Sequence, residues 1–174
     1  ASAGTSINNC VNYGTTQVVD ATQTLNSTAA YIGGILGYMR GNSLVERCVN
    51  YGDILVDSNL TSELSVYSKI TGGGIVGHTI DDTDDEPDIL NCYNTGDILG
   101  EVNARVVNDS RGVSAEAIVG GIVGSTYSAI ATSYNLGIID VKVSASGGNA
   151  SFRTENKHTG CVIGNAGSSA RIIN

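Results

Sequence analysis

Six carboxylates crowd into one short stretch of this chain: Asp81, Asp82, Asp84, Asp85, Glu86 and Asp88, in the segment DDTDDEPD. Clustered carboxylate oxygens on a loop are the donors that a hard cation such as Ca²⁺ selects. Asp81, Asp82, Asp84, Asp85 and Asp88 are therefore the candidate calcium ligands. Their spacing matches no EF-hand, and the glycine-rich nonapeptide of calcium-binding β-rolls is absent, so a solvated acidic insertion is the plainer reading. Cysteine offers a second chemistry. Cys10, Cys48 and Cys92 occur in one recurring context, with Ser133 as its fourth member. Stacked at strand spacing, their Cβ vectors would run parallel and strain a disulfide. Zinc is disfavoured because CxxC spacing and a nearby histidine are missing. The three are expected to face inward as free thiols. His78 and His158 stand singly and outside any HExxH pattern, so no catalytic residue is assigned.

The elements that must position these residues repeat. CVNYGTTQV from Cys10, CVNYGDILV from Cys48, CYNTGDILG from Cys92 and SYNLGIIDV from Ser133 recur at offsets of 38, 44 and 41 residues. A second refrain alternates with the first: YIGGILG from Tyr31, ITGGGIVG from Ile70, AIVGGIVG from Ala117 and HTGCVIG from His158. Within the first refrain, Asn12, Asn50, Asn94 and Asn135 stand two residues after the Cys or Ser, and glycine stands four after it. That period of two puts Cys, Asn, Gly and a following apolar residue on one face of an extended segment. An Asn ladder bonding from unit to unit is expected. Tyr13 and Tyr51 lie three residues after the Cys, whereas Tyr93 and Tyr134 lie one after, so they are not expected to form a single ladder.

Between the refrains lies a variable stretch that reads as a hairpin arm, as in VKVSASGGNASFRT, which alternates on both sides of Gly147-Gly148-Asn149. Each unit then supplies roughly three strands in a period of ~41 residues. A single unit cannot cover its apolar face, so neighbours must stack into a continuous core. The expected fold is all-β: a β-solenoid, parallel β-helix-like, of about four stacked units with hairpin arms. A four-bladed propeller is the geometric alternative. The approximate units are 7–44, 45–88, 89–129 and 130–170. The first and last refrains start and stop in mid-unit, which suggests a repeat array excised from a longer chain.

Composition narrows the function classes. Seventeen acidic and nine basic residues give a net charge of -8, and the basic residues are scattered, which argues against phosphate-driven nucleic-acid binding. No apolar run approaches the ~20 residues of a bilayer-spanning helix, so no direct membrane insertion is expected.

GGILG at Gly33, GGIVG at Gly73 and GGIVG at Gly120, alternating with the C-x-N-x-G strands, resemble the GLUG repeats of bacterial surface proteins. Those repeats occur in large adhesins and in accessory regions of secreted immunoglobulin A1 proteases. The resemblance covers essentially the whole chain; GCVIG at Gly160 departs from it by placing Cys161 where the second glycine stood. It implies a bacterial extracellular or cell-wall-attached protein with a β-helical module and carries over no catalysis. The expected function is a non-catalytic module serving as adhesin shaft, spacer or binding platform. An accessory domain of a secreted hydrolase, with its catalytic domain elsewhere, is the alternative. A host protein, a glycan or other domains of the parent chain are the expected partners, and the variable arms are the expected site of recognition.

Overall fold

The computed structural model describes residues 4–20, 27–41, 43–80, 87–108 and 110–173. Alternation of apolar and polar residues, dense β-branching and abundant glycine leave no helix among the described residues beyond one 3-10 turn, Ala150–Phe152. Each coil instead contributes five strands. The first coil comprises β1 (Ser6–Asn8), β2 (Val11–Asn12), β3 (Thr16–Asp20), β4 (Ser27–Gly33) and β5 (Leu36–Arg40). The second comprises β6 (Leu44–Glu46), β7 (Val49–Asn50), β8 (Ile54–Ser62), β9 (Val66–Gly73) and β10 (Val76–Ile80). In the third are β11 (Pro87–Leu90), β12 (Tyr93–Asn94), β13 (Ile98–Val106), β14 (Val113–Gly120) and β15 (Val123–Thr126). The fourth has β16 (Ala129–Ala131), β17 (Tyr134–Asn135), β18 (Ile139–Gly147), β19 (Arg153–Gly160) and β20 (Ile163–Ala166), and β21 (Arg171–Ile173) follows it.

Equivalent strands of successive coils pair in parallel, giving five sheets that run the length of the stack. Ile98 lies between Ile54 and Ile139, and Asn94 between Asn50 and Asn135. This is a parallel β-solenoid. The propeller alternative fails because its blades pair antiparallel strands within one unit, whereas every ladder here joins one coil to the next.

The arms take a different form from a hydrogen-bonded hairpin. The chain does run out along β8 and back along β9, but β8 bonds to β3 and β13 while β9 bonds to β4 and β14. Out-going and returning strands thus form two separate sheets packed face to face, a flattened lobe filled by Ile54, Val56, Leu60, Ile70, Val102 and Val119. Ser58 and Ser68 meet across that interior with their hydroxyls 2.8 Å apart, so the buried polar groups satisfy each other. A second core, around Met39, Ile75, Ile89, Cys92, Ile122 and Ile130, fills the other half of the coil.

Two columns of the second refrain explain its glycines. At Gly74 a Cβ would overlap the carbonyl of Gly121 and the side chain of Asn94, and Gly34 and Gly121 stand in the same relation to their following coils. The last glycine of the refrain, at Gly77 and Gly124, presses on the backbone of Ile32 and Gly72, so β5, β10 and β15 lie tightly against the preceding layer. Only the absence of a side chain permits both approaches.

Candidate functional site

Of the acidic cluster, Asp81, Asp82, Asp84, Asp85 and Glu86 lie outside the described residues. Asp88 is described and is buried at the root of β11. Among the described residues no group of three or more His, Cys, Asp or Glu side chains is placed to hold a metal ion.

The repeated polar residues have a shared task. Asn12 donates from Nδ2 to Asn50 Oδ1 at 2.8 Å, Asn50 to Asn94 at 2.7 Å, and Asn94 to Asn135 at 2.7 Å. Each amide also donates to the carbonyl two residues on, at Gly14, Gly52, Gly96 and Gly137. Asp53 Oδ1 accepts from the backbone N of Asp97, and Asp97 Oδ1 from that of Ile138. These side chains pin coil to coil.

All four cysteines are free; Cys48 and Cys92 are buried, Cys10 is half-buried and Cys161 is exposed. Cys10, Cys48 and Cys92 each donate from Sγ to the carbonyl two residues back, and Ser133 Oγ makes the same bond to Ala131 at 2.9 Å. The position thus selects a small side chain that can donate, which both residue types provide. Burial pushes the Cys48 thiol up, and the Cys92 thiol up to about 12. The residue before each of them, Asn9, Arg47, Asn91 and Thr132, has φ between 45° and 56°, a left-handed corner at every turn of the coil.

The tyrosines depart from expectation. Tyr13 stacks on Tyr51 with centroids 5.1 Å apart, Tyr93 stacks on Tyr134 at 5.3 Å, and Tyr51 meets Tyr93 edge-on at 6.0 Å with their hydroxyls 2.8 Å apart. Four rings from four coils form one continuous strip. The two sequence offsets differ by two residues, so both project from the same outer face, and the long rings bridge the adjacent rows. The hydrogen bond to Tyr51, which Tyr93 can donate only while its phenol is protonated, and modest desolvation hold the Tyr93 phenol up at about 12. Tyr13 is 77% exposed and Leu136, beside this strip, 73%.

His78 lies in a second aromatic group. Its ring stacks on Tyr31 at 4.9 Å, Tyr38 sits 5.7 Å away, and Nδ1 is 3.2 Å from the Ser125 carbonyl. Burial first, against the Ser125 contact, lowers its pKa. His158 is on β19, far along the stack in register with Ile118. Nearby, Glu116 accepts from Tyr67 and pairs with Lys69 at 3.0 Å. Desolvation, then Glu116, pushes the Tyr67 phenol up to about 12.

Concave features are shallow. A hollow of about 330 Å³ on the outer face of the lobe is lined by Gln17, Leu55, Asp57, Asn59, Leu99 and Glu101. Another, of about 410 Å³, lies at the lobe tip against Leu64 and Val107, and both of these residues are exposed, as is Phe152 on the neighbouring coil. Among the described residues no helix is long and apolar enough to cross a membrane.

The fold and its ladders define a repeat protein of the parallel β-solenoid class. No family model, no curated protein and no solved structure matches the chain.

Proposed function

We propose that the chain is a non-catalytic repeat module of a bacterial cell-surface or secreted protein, a rigid shaft that presents a binding surface. The observation that supports this reading is how the repeated polar side chains are spent. Asn12, Asn50, Asn94 and Asn135, with Asp53 and Asp97, are committed to coil-to-coil bonds, whereas chemistry on a substrate needs groups free to engage it. What varies between coils is the lobe tip, with Leu64, Val107 and Phe152 exposed. Loops and edges carried by a rigid frame are where specificity is built. A host protein or glycan is the proposed partner. The test is to screen the purified domain on glycan and host-protein arrays, then replace the tips around Glu63–Ser65, Asn108–Gly112 and Gly147–Ser151 by short Gly/Ser turns. Loss of the bound target on replacement supports the reading. Turnover of a peptide or glycan by the unaltered domain would overturn it.

A further inference from the structure

The fourth coil breaks the inward pattern of the lobe. On β14 the inward residues are Val113, Ala115, Ala117 and Val119, all buried. Their register partners on β19 are Arg153, Glu155, Lys157 and Thr159, all exposed. Two core positions of the preceding coil have thus become cationic and one anionic. Charges cannot enter an apolar core unpaired, and inward-pointing charges are a known way of blunting a sheet edge.

Two of these side chains act on the neighbouring edge directly. In the sheet of β3, β8, β13 and β18, inward residues aim their N–H toward the following coil, as Ile54 does to Asp97 and Ile98 to Ile138. Ala145 on β18 shares that parity, so its N–H points out of the end of the stack. Glu155 Oε1 accepts it at 2.8 Å, and Arg153 donates to the Gly147 carbonyl at 3.2 Å. One donor and one acceptor at the tip end of the β18 edge, where another strand would pair, are thus taken.

Cys161 adds a steric block. It stands in register over Gly121, where a side chain on the glycine column would overlap the next coil's carbonyl and asparagine. The first coil differs: its inward residues include Val18, Ala30 and Ile32, which pack on the lobe core.

We propose that residues 153–161 form a terminating cap that closes this end of the lobe to head-to-tail stacking by a second copy of the chain. A uniform solenoid carries a complementary edge at each end and would otherwise polymerise, because a heterologous contact that does not close generates a filament.

The test restores the β14 residues on β19: Arg153→Val, Glu155→Ala, Lys157→Ala, Thr159→Val and Cys161→Gly together. The parent chain is expected to stay monomeric in light scattering across a hundredfold concentration range, while the variant forms concentration-dependent oligomers. Adding Ala30→Lys, which charges the first coil's inward face, is expected to return the variant to monomer. A folded variant that stays monomeric, oligomers that survive Ala30→Lys, or a parent that associates equally well would each overturn the proposal. Glu155→Ala alone keeps the test open if the fivefold variant does not fold. Hydrogen exchange at the Ala145 amide is expected to rise at least tenfold in it, and unchanged exchange would reject the cap.

Discussion

Asn50 and Asn94, 44 positions apart in the chain and both fully buried, face each other as donor and acceptor at 2.7 Å. Asn94 also donates to Asn135 and to the Gly96 carbonyl. Replacing it with Ala removes three bonds at a buried site, one to each ladder neighbour and one to the Gly96 carbonyl, so Asn94→Ala should cost about 3 kcal/mol. Asn12, half-buried at the start of the ladder, should cost about 1 kcal/mol on the same change. Urea melts of the two variants check the ordering; equal losses would mean the ladder does not carry the stacking energy.

Ile98 is fully buried in the lobe core, and Asn149 sits at a tip where its Oδ1 accepts from Ser151 N. Ile98→Asp places an unpaired charge among apolar side chains and should cost more than about 4 kcal/mol. Asn149→Asp keeps the acceptor and should move stability by under about 0.5 kcal/mol. Thermal melting of both separates the outcomes.

Arg47 holds the left-handed corner with φ 53°, the conformation that Asn9 and Asn91 occupy in other coils. Asn tolerates this region better than Arg, and the Arg47–Glu46 ion pair is solvent-exposed on the Arg side, hence worth little. Arg47→Asn should therefore stabilise the chain by about 0.5–1 kcal/mol. A lowered denaturation midpoint would contradict the corner argument.

Alkali should unfold this protein along a defined limb. Burial raises the Cys92 thiol from 9.0 to about 12, and Tyr67 rises from 10.0 to about 12. Between those limits the unfolded chain has lost protons that the native state keeps, so stability falls as pH rises. The contribution is complete below about pH 9, the unfolded thiol's value, and disappears toward pH 12. Cys92→Ser should flatten the lower part of that limb, measured by denaturant midpoints from pH 8 to 11. In the native state at pH 8, Cys161 should react with a thiol reagent far faster than Cys48 or Cys92, and all four should titrate after denaturation without reductant.

What could be read in the sequence followed from residues that keep one position in every coil. Asn12, Asn50, Asn94 and Asn135 share both identity and offset, so their inward face and their ladder were accessible to period-two reasoning. The lobe was harder, because alternation around Gly147–Asn149 is the same for a hairpin and for two sheets that each bond to neighbouring coils. Only the pairing partners differ, and they lie ~40 residues away. The tyrosine strip was obscured because it changes rows between Tyr51 and Tyr93. The charged inward row of β19 was visible in RTENKHTG, yet its meaning depends on the alignment with β14 that the register supplies. The left-handed corner carries Asn, Arg, Asn and Thr, so no residue type marked it.

The register also dictates how the chain must acquire its structure. Among the described residues every strand ladder, such as Ile98 to its partners at Ile54 and Ile139, spans roughly one coil of sequence, so no described strand pairs within its own coil to reward that coil's ordering. The first two coils must close loops of about 40 residues before any strand pairs, an entropic cost of about 3 kcal/mol plus the fixed part of closure. Once such a pair exists, each new coil finds a ready edge and adds strand by strand. Assembly is therefore a slow initiation followed by quick propagation along the axis, as its non-local pairing requires.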